Sequence, residues 1–188
     1  MHDRHAAVEQ HLRTCFAGHE ITRTRWPHPP AQPRLHDLEI LEIAPGPHMG
    51  LWTYVSLGAW RIEHDHHASE FFVCADRAER TLVELVAIAA HYHAAVPSGL
   101  LGPGHTIPIG RPWLPGSACT RLLVSAPYPL APRVSKLDLD GDRVALLWLL
   151  PITDAEARFG RDHGLEALEQ RFEAVALHYW RPDRPSVV

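Results

Sequence analysis

Seven consecutive apolar residues, 144–150, constrain the fold of this chain more than any other stretch. Successive side chains of a strand point to opposite faces of the sheet, so such a run needs an apolar cover on both faces. We therefore predict a central strand, with Trp148 as a core residue. The preceding pair Asp140-Gly141 is typical of a type I′ turn and predicts a hairpin with residues 136–139.

The other patterns predict an α+β fold in which helices pack on a mixed, mostly antiparallel sheet. Helical spacing indicates helices at residues 3–16, 79–96 and 165–179. The apolar stripe of the last helix is Leu165, Leu168, Phe172, Val175 and Tyr179. Strands are expected at residues 35–45, 51–63, 69–75 and 120–125. Thr153 and Glu156 have the spacing of a capping box, which predicts another helix start.

We expect a single domain over residues 1–188, with a helix and a proline-rich connector at 1–35 and the core at 36–180. The net charge is −4, and no basic run could follow the phosphates of a nucleic acid. No segment reaches 18 uninterrupted apolar residues, so no membrane partner is expected. The three cysteines form no C-x-x-C pair, which favours reduced thiols and a cytoplasmic location.

The segment His64-Asp65-His66-His67 is a candidate metal site, because imidazole and carboxylate groups are common metal ligands. On an extended chain His64 and His66 point the same way and His67 the opposite way, so the segment offers two convergent ligands. Further ligands would have to come from His91, His93 or His105, whose proximity the sequence does not establish. We predict a hairpin connection without a metal and no cofactor, and keep a metal-dependent hydrolase as the alternative.

Other catalytic patterns are absent from the sequence. Residues 138–142 lack the glycine and glutamate positions of a calcium loop, and no G-x-S-x-G or H-E-x-x-H motif occurs. Ser117 and Cys119 have no assigned base, and Glu166 and Glu169 are expected on the outward side of a helix. The residues alone therefore offer no convincing catalytic set and predict only a cytosolic α+β domain.

Several stretches resemble the suppressor-of-fused (SUFU) domain family. They are "LWTYVSLGAW", "SEFFV", the helix, loop and G-x-H turn of residues 85–113, and the strand, P-I turn and helix of residues 144–172. Their order and spacing carry the resemblance, and the length suits a short bacterial single-domain member. The resemblance implies the SUFU amino-terminal fold and a non-enzymatic, protein-binding role, since animal members bind a short extended peptide. Many bacterial members look like immunity proteins that neutralise a toxin encoded nearby.

The resemblance also implies a partner-binding surface at Tyr92, Gly104, His105 and Trp113. Tyr92 matches a peptide-holding tyrosine of the animal protein, whereas Gly104 stands at the position of an aspartate and Ser125 at about the position of a glutamate. Loss of two charges is expected to change the choice of partner. Within this region we expect Trp113 at the edge of the core. A structural subunit of a larger assembly remains a third hypothesis.

The predicted absence of a metal site can be measured directly. Protein purified without a histidine tag should contain less than an equivalent of zinc or iron by plasma emission, because only two imidazoles of the segment converge. Stoichiometric metal that survives mild chelation and disappears in His64→Ala/His66→Ala would overturn this prediction and favour the hydrolase alternative.

Overall fold

The computed structural model describes residues 2–27, 35, 37–64, 67–95, 101–130, 136–139 and 142–188. Four helices occur in these ranges: α1 His2–Cys15, α2 Thr81–Ala95, α3 Asp154–His163 and α4 Leu165–Ala174. The strands of the first half are β1 Ile21–Arg25, β2 Glu39–Ile43, β3 Trp52–Leu57, β4 Glu63–His64 and β5 His67–Ala75. Those of the second half are β6 Thr106–Pro108, β7 Arg121–Ser125, β8 Lys136–Leu139 and β9 Asp142–Ile152.

The strands form one sheet in the order β1-β2-β3-β5-β9-β7-β6, with β4 beside β5 and β8 beside β9. Only the β5–β9 pair is parallel among the described strands, so the predicted mixed and mostly antiparallel sheet is confirmed. The sequence patterns did not indicate β1 or β6, which are short and partly polar. The Asp140-Gly141 turn lies outside the described residues, but β8 and β9 pair as the predicted hairpin requires.

The central position predicted for residues 144–150 is confirmed, because β9 pairs with β5 on one side and β7 on the other. Leu147 and Leu149 enter a core that α2 covers, whereas Leu146, Trp148 and Leu150 enter a core covered by α1 and α4. Val8 and Leu12 of α1, and Phe16 directly after it, are buried in this second core. The core therefore extends beyond the predicted range of 36–180.

A buried ion pair fixes the C-terminal residues to the start of α3. The Arg184 guanidinium donates to both carboxylate oxygens of Glu156, at 2.7 and 2.8 Å, and also to the Pro151 carbonyl. Glu156 also closes the predicted capping box with Thr153, which is confirmed. Burial alone would raise the pKa of Glu156, but the hydrogen bonds and charge of Arg184 hold it below its usual range.

The last helix is shorter than predicted. It ends at Ala174, because Ala176 adopts a left-handed φ of 47° and the Leu177 amide donates back to the Phe172 carbonyl. Leu168 and Phe172 are buried as expected, but Val175 is 57% exposed, so its assignment to the core was wrong. The chain reverses direction at this turn. Tyr179 therefore lies outside the helix, and its ring contacts that of Trp148 edge-on at a centroid distance of 4.7 Å.

The predicted strand over residues 51–63 is broken at Gly58, which has φ +124°. A 3-10 turn follows at Ala59–Arg61. The buried Glu70 carboxylate on β5 accepts hydrogen bonds from the amides of Gly58, Ala59 and Trp60 and from the Ser56 hydroxyl. Glu70 thus stabilises the bend that interrupts the predicted strand at Gly58. Burial raises the pKa of Glu70 to about 7, although its four donors oppose that shift.

Cys15, Cys74 and Cys119 are buried, and no disulfide joins them. No helix in the described part of the chain is long and apolar enough to cross a membrane.

Replacing Arg184 should strongly destabilise the fold. Arg184→Met removes the partner of a buried carboxylate, which typically costs about 3–5 kcal/mol of unfolding free energy. The double variant Arg184→Met/Glu156→Gln should lose less unfolding free energy than Arg184→Met, because no buried charge is then left unpaired. Urea unfolding of both variants checks this, and equal losses would show that the ion pair is not what holds the C-terminal residues.

Glu70 should make the stability of the protein depend on pH. Its pKa is raised from 4.5 in the unfolded chain to about 7 in the fold, so the folded state binds more protons between these values. The stabilisation is complete below the unfolded pKa and is lost as the pH rises through about 7. Chemical unfolding should show that the free energy of unfolding falls more steeply with rising pH in the wild type than in Glu70→Gln, because glutamine cannot ionise. Parallel curves would contradict the assignment.

Candidate functional site

A cleft of about 560 Å³ opens where β6, β7, α3 and α4 meet, and we call it the arginine cleft. Gly104 and His105 line it, so the structure brings together two of the predicted contact residues. Its remaining polar lining comes from Thr106, Arg121, Asp154, Arg158 and Arg161. Its base is apolar and includes Leu123, Leu165 and Leu168.

A tight turn places Gly104 and His105 at the mouth of the cleft. Gly104 has φ +91°, a conformation that residues other than glycine rarely adopt. Its amide donates to the Val124 carbonyl at 2.9 Å. The Gly102 amide donates to Nδ1 of His105 at 2.8 Å, so the neutral ring carries its proton on Nε2. His105 is exposed, and this N–H is therefore a donor that a partner can reach.

The charge of the cleft is positive. Arg121 donates to Asp154 at 2.6 Å, and this hydrogen bond lowers the pKa of the aspartate. Arg158 and Arg161 lie three positions apart on α3 and are exposed. The lining therefore holds three guanidinium groups and one carboxylate, Asp154, and outside the lining Asp162 lies 3.9 Å from Arg161. A surface of this kind attracts carboxylate or phosphate groups.

Tyr92 is 41% exposed on the last part of α2 and does not line the cleft. Its neighbour His93 connects α2 to the loop, because the Leu101 amide donates to Nδ1 of His93 at 2.9 Å. The other ring nitrogen of His93 faces the Ile62 carbonyl at 3.4 Å. Burial lowers the pKa of His93, so the ring is a neutral structural link and not a free metal ligand.

Trp113 is fully buried, with an exposed fraction of 0%. The prediction that it lies at the edge of the core was therefore wrong, and its ring offers no surface to a partner in this conformation. The apolar loop folds onto α2 and the sheet, so Leu101, Ile107 and Leu114 are buried with it. The loop contributes packing through its apolar residues and leaves Gly104 and His105 exposed at the cleft.

A second depression of about 320 Å³, which we call the aromatic pocket, lies on the other side of α4. Its walls include Tyr128, Trp148, Phe172 and Tyr179, and its polar groups include Glu169 and Glu173. Glu169 is half-buried and accepts a hydrogen bond from Ser125 at 3.1 Å, so it is not merely a solvated helix residue as predicted. A carboxylate therefore does lie next to Ser125, contributed by α4 rather than by the strand.

The histidine segment is only partly described. The backbone of Glu63–His64 pairs with that of His67 and Ala68, as in the predicted hairpin, whereas Asp65 and His66 lie outside the described residues. Among the described residues no group of three or more His, Cys, Asp or Glu side chains could hold a metal ion. The absence of metal at residues 64–67 stays a prediction, and no described feature supports the hydrolase alternative.

Comparisons with known proteins agree on one family. The sequence profile of the suppressor of fused protein (SUFU) family matches residues 34–185. A crystal structure of a SUFU homologue from Neisseria gonorrhoeae FA 1090 has 29% sequence identity and a TM-score of 0.85, covering 100% of this chain and 98% of that one. No curated protein matches the chain significantly.

More distant structures share the fold alone. The Sufu–Fu complex contains a chain with 14% identity and a TM-score of 0.68, with 97% of this chain and 91% of that chain covered. Drosophila Suppressor of Fused has 13% identity and a TM-score of 0.64, with 97% of this chain but 50% of that chain covered.

Proposed function

Since the chain belongs to the suppressor-of-fused (SUFU) family, we propose that it is a non-enzymatic, cytoplasmic protein-binding domain whose partner docks at the arginine cleft. The observation that carries this proposal is the position of Gly104 and His105 in the lining of a cleft that holds three arginines and one carboxylate. The Sufu chain of the Sufu–Fu complex has the same fold and binds a protein, which supports the class of function. In this proposal the chain works as one domain.

The charge of the cleft defines the chemistry of the partner. The family resemblance aligns Gly104 with an aspartate, and φ +91° at Gly104 disfavours any side chain there. A Cβ at this position would face Leu165, and Arg121, Arg158 and Arg161 line the same cleft. Complementary charge largely sets partner choice and the rate of encounter. We therefore propose that the partner presents an acidic segment, and that His105 adds a hydrogen bond from Nε2.

The sheet provides a place for an extended segment beside the cleft. Strand β6 begins directly after His105 and is the last strand in the described sheet order. An extended peptide can pair with such an edge through backbone hydrogen bonds, and neighbouring side chains then supply specificity. Tyr92 lies outside the cleft lining, so in this arrangement it contacts a more distant part of the partner.

An immunity protein that neutralises a toxin encoded nearby is the form of this function that we favour. Such a protein needs a stable scaffold with a preformed, charged binding surface, which the arginine cleft provides. Co-expression with the product of the neighbouring open reading frame tests this form. Rescue of growth would support it, and a partner without toxicity would leave only the broader protein-binding proposal.

Charge reversal in the cleft tests the proposed binding surface. The natural partner is first identified by co-purification from the native cell, and its binding is then measured by calorimetry. Arg158→Glu/Arg161→Glu should weaken binding about tenfold or more, because each exchange replaces attraction with repulsion. His105→Ala should weaken it less, since it removes one hydrogen bond.

The matched control is Arg77→Glu/Arg80→Glu, which changes the net charge equally at exposed arginines outside the cleft. Only variants with wild-type melting are compared. Equal weakening by both double variants would show a general charge effect, and unchanged binding of the cleft variant would place the partner surface elsewhere.

A further inference from the structure

The aromatic pocket shares no lining residue with the arginine cleft, and its charged groups are negative instead of mainly positive. Tyr128 is 59% exposed at its rim, and Trp148 and Tyr179 meet edge-on inside it at 4.7 Å between ring centroids. Phe172 and Leu177 complete an apolar surface. Flat aromatic faces carry negative potential and attract cations, particularly guanidinium groups.

Two carboxylates give the pocket its charge. Glu169 and Glu173 are one helical turn apart on α4, so both side chains project on the same side. No lysine or arginine lines the pocket, and neither carboxylate pairs with one among the described residues. The negative charge of Glu169 is the main factor that raises the pKa of Tyr128, which places the phenol next to the carboxylates.

The end of α4 adds to the same negative field. The helix terminates at Ala174, and Ala176 and Leu177 line the pocket immediately after it. Carbonyl groups at a helix C-terminus carry partial negative charge and favour cations nearby. Ala176 holds a left-handed φ of 47°, which an alanine rarely adopts. This turn gives the pocket its depth, because it returns Leu177 to the helix.

We propose that the aromatic pocket binds an arginine side chain of a protein partner. Aromatic walls, two adjacent carboxylates and a helix C-terminus together match a planar cation that stacks and forms bidentate hydrogen bonds. A purely apolar side chain would leave both carboxylates without a countercharge, although Ser125 donates a hydrogen bond to Glu169. The inference rests on the proposed function only in that a protein supplies the side chain.

The pocket can be tested on the full chain without the natural partner. N-acetyl-arginine methylamide is titrated against ¹⁵N-labelled protein, and the Trp148 indole and Leu177 amide signals are followed by NMR. We expect saturable shifts, with N-acetyl-norleucine methylamide binding about fivefold or more weakly, because it lacks the cation. Added salt should weaken the arginine probe and leave norleucine unchanged.

Variants of α4 identify the groups responsible. Glu169→Gln/Glu173→Gln should weaken the arginine probe about fivefold or more. Asp162→Asn/Glu166→Gln, which removes the same charge from exposed residues outside the pocket, should not. Equal binding of arginine and norleucine, no saturable shift, or equal effects of both double variants would each overturn the proposal. None of these outcomes affects the calorimetry on the arginine cleft, so the two proposals fail separately.

A residue of the same chain is the competing occupant. Residues 131–135 follow the turn that carries Tyr128, lie outside the described residues and contain one cation, Arg133. If Arg133→Gln tightened the arginine probe about tenfold, Arg133 itself would fill the pocket and the proposal of a partner residue would be wrong. Unchanged affinity in this variant supports a partner's arginine.

Discussion

The parallel pairing of β5 with β9 is the constraint on which the rest of the structure depends. It joins the first half of the chain to the second, with Phe72 opposite Trp148 in the register. Both strands are buried on both faces, so each face must be covered. Helix α2 covers one face, and helices α1 and α4 cover the other. Both candidate binding features lie on this second side, because α3 and α4 follow directly from β9.

Helix α4 separates two surfaces of opposite charge. Leu168 belongs to the lining of the arginine cleft, and Phe172, one turn later, belongs to that of the aromatic pocket. On β7 the same division occurs between Leu123 and Ser125. A partner that contacts both features would need an acidic segment and an arginine at matching positions. Such a pattern discriminates more strongly than a single charge, because a misaligned partner meets repulsion at both places.

Buried carboxyl groups hold two parts of the fold in place. Glu70 stabilises the bend after β3, and the Glu156–Arg184 pair fixes the C-terminal residues against the start of α3. In both cases the buried carboxyl group has several hydrogen-bond partners, as the burial of a polar group requires. The fixed start of α3 in turn holds Arg158 and Arg161 in position beside the arginine cleft.

Local patterns in the sequence predicted the central strand, the capping box at Thr153 and the mixed sheet, because each depends on near neighbours or on periodicity. The family resemblance pointed to Gly104 and His105. The sequence could not show that Trp113 is buried, that the stripe through Val175 stops at a left-handed turn, or that Arg184 pairs with Glu156. Those outcomes depend on contacts between distant residues, and residue spacing carries no information about such contacts. The two charged surfaces also depend on contacts between distant residues. They form only when α3 and α4 pack on the sheet and bring together Arg121, Arg158, Tyr128 and Glu169.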